Sequence, residues 1–323
     1  MTRGRRWHRS GLLFLAVICH NAPAQNWPVK AIRVIVPFTA GSATDVVART
    51  VTERLSLNLG RAIVVENRPG AGGTIGAAIV AKADPDGYTV LVQSASHTVT
   101  PTTYPSLPYD TERDLAGVTP LAMQPNVLVV APSKGYTSVR GLVTIAQAHP
   151  GTINYASAGM GSATHLNAER FRLAAHIDAQ HVPFKGTPEA LTEVLTGRVD
   201  YYFCPVVSTL SYIHDGKLLA LAVGSAKRSA VLPDIPTTVE AGVPNSAYNF
   251  WVGMFVPGKT PRAIVARLHD EVIRAIDSED VRQRFARLGA EPFPLSPEQF
   301  DDYVHAEIVA NAELIKAAHI KTE

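Results

Sequence analysis

The chain has 323 residues, 18% charged and 46% hydrophobic, with a formal net charge of +2. This balance excludes a disordered chain and leaves room for two domains of ordinary size. The positive excess sits in the first residues, at Arg3, Arg5, Arg6 and Arg9; without residues 1–24 the formal charge is −2, which removes support for a general nucleic-acid surface.

In chain order, the first segment reads as an export signal. A basic start precedes an apolar run over 12–19 that is too short to span a bilayer, and Ala22-Pro23-Ala24 offers a cleavage site after Ala24. A periplasmic location is expected. A lipoprotein is disfavoured by Ile18 before Cys19. No later stretch is long and apolar enough to cross a membrane. Cleavage leaves one cysteine, Cys204, which has no internal disulfide partner and reads as a small buried residue at a strand end.

From there, short apolar runs rich in β-branched residues alternate with amphipathic ones. Strands are expected near 31–36, 62–66, 88–92, 126–131, 153–157, 178–182, 199–203, 218–223 and 250–256. Helices are expected near 43–58, 73–83, 138–148, 162–175, 187–196, 206–214, 261–276, 279–288 and 297–318. The alternation implies an α/β fold of βαβ units. Two lobes are expected, with lobe 1 discontinuous (25–124 and 251–323) and lobe 2 formed by 125–250.

Two strand-to-helix junctions share one chemistry. The first is Pro37-Phe38-Thr39-Ala40-Gly41-Ser42-Ala43-Thr44-Asp45, and the second is Ser157-Ala158-Gly159-Met160-Gly161-Ser162-Ala163-Thr164-His165. Small residues before a helix leave backbone N–H groups free at the positive end of its dipole. Two such loops about a domain apart suggest one anion held from both sides.

Other motifs are weighed against plainer roles. Gly253-Met254-Phe255-Val256-Pro257-Gly258-Lys259-Thr260 matches a phosphate-loop pattern, but the apolar residues read as a buried strand and Pro257 removes a donor. Gly159-x-Gly161-x-x-Thr164 lacks the third glycine of a dinucleotide fingerprint. No cofactor is expected. Ser162 with His165 has the look of a nucleophile and base, yet Ser162 reads better as a helix cap, and no G-x-S-x-G elbow exists. His165 either touches a ligand or caps its loop. Asp45 either fixes its loop or contacts a ligand through a donor. Lys185, at a third strand-to-helix junction, either supplies charge near an anion or is a solvated lysine. His97, His176 and His181 have no metal-ligand spacing.

Further stretches carry a family resemblance: Val65-Glu66-Asn67-Arg68-Pro69-Gly70-Ala71-Gly72-Gly73-Thr74-Ile75-Gly76, Asp84-Pro85-Asp86-Gly87-Tyr88-Thr89, Val182-Pro183-Phe184-Lys185-Gly186, Gly197-Arg198-Val199-Asp200 and Leu232-Pro233-Asp234-Ile235-Pro236-Thr237. With the two loops, they span nearly all of the chain after residue 24. The chain resembles the Bug-type (TctC-like) extracytoplasmic solute receptors of tripartite tricarboxylate transporters. The resemblance implies a two-lobed, type II-like periplasmic binding protein. Each lobe is a mostly parallel sheet flanked by helices, with a small carboxylate in the interlobe cleft.

By position, it assigns ligand contacts to Phe38, Ala40, Gly41, Ser42, Thr44 and Asp45 in the first lobe. Gly159, Gly161, Ser162, Thr164 and His165 are their counterparts in the second. Ser94, Ser96 and His97 line the distal end, and Lys185 joins them as a candidate. It also implies membrane transporter subunits as partners of a monomer that is not an enzyme. The family's first loop usually carries two or three glycines where Ser42 and Ala43 stand here, which bears on how closely a ligand approaches the backbone. Two rival functions are a solute sensor feeding a signalling protein and a secreted Ser/His hydrolase.

Overall fold

The computed structural model describes Met1 and residues 27–320; apart from Met1, the expected signal segment 1–24 lies outside them. The chain opens with β1 (Ile32–Val36), α1 (Ala43–Leu59), β2 (Ile63–Asn67), α2 (Thr74–Ala81), β3 (Thr89–Ser94), a short α3 (Thr100–Thr103) and β4 (Leu115–Gln124). After Pro125 come β5 (Asn126–Val130), α4 (Val139–Ala148), β6 (Ile153–Ser157), α5 (Ala163–Ala174), β7 (Ala179–Pro183), α6 (Thr187–Leu195), β8 (Tyr201–Pro205), α7 (Val206–His214) and β9 (Leu219–Val223). The last elements are β10 (Phe250–Pro257), α8 (Arg262–Ile276), α9 (Glu279–Leu288), β11 (Glu291–Pro292) and α10 (Pro297–Ala317).

These strands form two sheets, in the orders β11-β4-β10-β3-β1-β2 and β7-β6-β8-β5-β9. The pairs made by βαβ units are parallel, β2-β1-β3 in one sheet and β7-β6-β8 in the other. The remaining pairs are antiparallel. The sheets are therefore mixed, where the sequence suggested mostly parallel ones. The segments that pass between sheets cause this. β4 runs straight into β5 through Pro125, and β10 returns antiparallel to both β3 and β4.

β4 is not evident from its residues because Gly117 and Pro120 interrupt it. Proline cannot donate to a ladder, and the β4–β10 register shifts between Val252 and Gly253, with Gly253 opposite Pro120.

Burial explains the apolar runs. β5, β8 and β10 are buried at every residue, as expected for strands covered on both faces. Trp251, Phe255 and Phe300 anchor the core of the first sheet. The second sheet has two core clusters, one around Tyr155, Phe171, Tyr201 and Phe203, the other around Val127, Tyr202 and Cys204. Cys204 is fully buried, and burial pushes its thiol pKa up, away from the reactive thiolate. The phosphate-loop look-alike has residues 253–257 inside β10 and only a short turn before α8, so it forms no glycine-rich wrap. Among the described residues no helix is long and apolar enough to cross a membrane.

Candidate functional site

β1 and β6 each end in a tight turn, and each turn delivers a serine to a helix N-cap. Ser42 caps α1 with φ −66° and ψ 159°, and its Oγ accepts the Asp45 N–H. Ser162 caps α5 with φ −77° and ψ 159°, and its Oγ accepts the His165 N–H. The residue before each cap is a glycine in the left-handed region, Gly41 at φ 80° and Gly161 at φ 67°.

Both first turns line one cavity. Its walls hold Ser42, Ala43 and Thr44 of α1 and Ser162, Ala163 and Thr164 of α5, along with Phe38, Ser94, Ser96, Ala158, Thr187, Pro205 and Phe250. Thr187 is the first residue of α6, and Pro205 is the N-cap of α7. Four helix N-termini thus meet at one place, and no lining residue is ionisable. Their aligned peptide dipoles turn positive ends toward the cavity without a cation in its lining. It measures about 10 Å³ as it stands, room for about one water, so a larger guest enters only if the sheets part.

The two sheets touch around it. Ser96, just beyond β3, accepts the Ala163 N–H at 2.9 Å, capping α5 from the other sheet. Ser94 steadies it, with the two hydroxyls 2.9 Å apart. Tyr104 donates to the Met160 carbonyl at 2.9 Å.

Not every expected residue faces the cavity. Phe38, Ser42, Thr44, Ser94, Ser96, Ser162 and Thr164 do. Ala40 and Gly41 lie on the exposed outer side of their turn. Asp45 is buried but turns back on its own loop. Its carboxylate accepts the Gly41 N–H at 2.9 Å, Asn67 Nδ2 at 2.9 Å and Arg49 Nε at 3.0 Å. Asn67 also donates to the Phe38 carbonyl at 3.0 Å, so the group sets the loop's path.

His165 behaves alike: its Nδ1 accepts the Gly161 N–H at 3.2 Å. Its ring stacks on His181 at 3.8 Å between centroids, and burial pushes both pKa values down to about 3. Ser162 Oγ therefore meets the backbone N–H of His165, while the ring nitrogen that faces the loop is taken by Gly161. His97 packs on Phe255 at 4.1 Å between centroids, away from the cavity, and burial lowers its pKa to about 3.

Gly159 and Lys185 line an open groove with Gly72, Tyr104 and Glu189 that adjoins the cavity at Ala158, and Lys185 is exposed there. Among the described residues no cluster of His, Cys, Asp and Glu could hold a metal ion.

Among the lining residues outside the two loops, reading the sequence misses Thr187, Pro205 and Phe250. The first two were findable, since β7–α6 and β8–α7 are strand-to-helix junctions like the two singled out. Phe250 arrives from the returning strand, and nothing local marks it.

The geometry agrees with the comparisons. Residues 47–320 match the model of the tripartite tricarboxylate transporter family receptor. Protein BugT of Bordetella pertussis is 34% identical over 313 residues, 96% of either chain. The structure of MatC from Rhodopseudomonas palustris with bound malate superposes with a TM-score of 0.85 at 34% identity, covering 90% of this chain and 100% of that one. That of Rpa4515 from R. palustris with adipate gives 0.88 at 33% identity, covering 92% and 100%. Two mixed sheets, twin capped loops and a match over most of its length make this chain a member of the tripartite tricarboxylate transporter receptor family, the TctC or Bug-type periplasmic solute-binding proteins.

Proposed function

We propose that this chain captures a small carboxylate in the periplasm, closes two lobes over it and presents it to membrane transporter subunits. The observation that carries the reading is the convergence of the N-termini of α1, α5, α6 and α7 on one cavity without a charged lining side chain. Each such end favours an anion by about 0.3–1 kcal/mol when exposed and up to about 2 kcal/mol when partly buried. A dissociation constant near micromolar corresponds to about −8 kcal/mol, which a small buried anion can reach when these ends act together with the serine and threonine hydroxyls. Malate in MatC and adipate in Rpa4515 make dicarboxylates the first solutes to try.

The lobes are 25–124 with 251–323, and 125–250, after loss of the export signal. The switch of sheets at Pro125 and at Phe250 supports these limits. Parting of the lobes admits the ligand, and bridging contacts from both capped loops favour closure. Capture without chemistry is supported by the Ser162 hydroxyl, which is engaged as a cap and not by an imidazole.

The test is a thermal-shift and calorimetric titration of residues 25–323 with malate, adipate, ATP and NAD, after unfolding and refolding to strip any retained ligand. A carboxylate at a hundred times its dissociation constant adds about 2.7 kcal/mol. A selective shift with a carboxylate is expected, whereas a response to nucleotide alone refutes the reading. Delivery is tested by uptake: deleting the chain should abolish import of that carboxylate by cells that keep the membrane subunits.

A further inference from the structure

We propose that the segments crossing between the lobes carry a second ligand site, made for a small organic anion with an apolar body. A cavity of about 600 Å³ lies beside them, within the range of small-molecule sites and far roomier than the first. It shares no lining residue with that first cavity. Both crossing segments reach it, through Gln124 and Asn249. One side comes from α9, with Arg282 and Ala286, and the other from the loop after β9, with Lys227 and Val231. The two sides meet at the end of α9, where a Cβ on Gly289 would stand 2.5 Å from Val231 Cγ2.

The lining specifies the guest. Its exposed surface is mainly apolar, from Met123, Val231, Ala286 and Pro292, so a ligand needs an apolar body. Three cations, Lys227, Arg228 and Arg282, stand against one carboxylate, Glu291. Arg228 is engaged by Glu240 and by the Pro233 carbonyl, and Arg282 reaches Asp277 at 3.5 Å. Lys227 has no ion pair among the described residues and remains available to an anion.

Gln124 stands in the wall of the same cavity. It is 2% exposed, and its Oε1 accepts the Val207 N–H, which fixes the orientation of the amide. Its Nε2 is buried with no acceptor. A buried unpaired donor is costly, and a carboxylate or sulfonate oxygen reaches it only if the cavity wall shifts to uncover it. A ligand held from both lobes is also linked to the hinge: it favours whichever lobe arrangement shapes its cavity.

The experiment is a fluorescence titration of refolded residues 25–323 with anilinonaphthalene sulfonate, an aromatic anion that brightens in apolar surroundings. Saturable binding at a single class of site is expected. Lys227→Glu reverses the uncommitted charge on an exposed loop, and Ala286→Trp fills the cavity from the exposed face of α9. Each should weaken binding about tenfold or more, while Ser162→Asp, in the first cavity, should not. Should Ala286→Trp fail to fold, Lys227→Glu alone decides. Absence of saturable binding, indifference to Lys227→Glu, or loss in Ser162→Asp with retention in Lys227→Glu would each overturn the proposal.

Discussion

Asp45 and His165 hold equivalent places in the two lobes. Each is the third residue of a helix capped by serine, and each accepts the N–H of the left-handed glycine four residues before it. One is a carboxylate and the other a neutral imidazole, yet both close the same ring over a Gly-Ser-Ala-Thr run. The side chains that look most chemical in these loops thus brace their own turns, and Ser42, Ala43, Thr44, Ser162, Ala163 and Thr164 beside them line the cavity.

Asp45→Ala tests the brace. The substitution removes the shared acceptor of the Gly41 N–H, the Asn67 amide and Arg49. Hydrogen bonds to a charged group are worth about 1.5–3 kcal/mol, so urea unfolding should show a loss of at least about 2 kcal/mol. Unchanged stability together with unchanged carboxylate affinity would sink the assignment.

Charge at a cap tests the site. Aspartate is as good an N-cap as serine, so Ser42→Asp and Ser162→Asp should keep the fold. A fixed negative charge where a carboxylate is proposed to sit should weaken binding about a hundredfold, roughly 2.7 kcal/mol. Calorimetry decides, with circular dichroism as the folding control. Binding that survives both changes would rule out the clamp.

Closeness of approach can be tested at Gly72. It has φ +60°, and a Cβ there would stand 2.3 Å from the Met160 carbonyl oxygen of the other sheet. Gly72→Ala should hold the lobes apart, lowering carboxylate affinity about tenfold or more. The local strain in the backbone costs about 1–2 kcal/mol of stability. An affinity equal to that of the unaltered protein would show that the two sheets need not touch here when ligand is bound.

The buried histidines predict a dependence on pH. His97, His165 and His181 have pKa values near 3 in the folded chain, against an ordinary value of 6.5. The cause is burial, joined by Arg172 at His165; at His181 the facing His165 adds to the lowering and Glu169 opposes it. The unfolded chain therefore binds more protons below pH 6.5. Stability is fully present above that pH and falls as pH drops toward 3, by up to about 1.4 kcal/mol per unit for each histidine. His165→Gln should reduce the slope between about pH 6.5 and 5 by close to one proton. Chemical unfolding across that range measures it, and an unaltered slope would contradict the burial argument.

What the sequence by itself determined is local. The periodicity of apolar residues marks every helix but the short α3 and most strands, because each element satisfies its own pattern within a few residues. The serine caps at 42 and 162 are legible for the same reason, since a cap bonds to a backbone group three residues on. Tertiary structure decided the rest. β4 escapes notice because Gly117 and Pro120 spoil its pattern, while its pairing with β10 is set by residues more than a hundred positions away. Whether Asp45 and His165 face a ligand or their own glycines depends on which donors the folded turn leaves free. Phe250 joins Ser42 and Ser162 at one cavity because a returning strand and two helix ends, remote in sequence, pack on the same point. Periodicity reports which face of an element is buried, and only long-range packing chooses what that face meets.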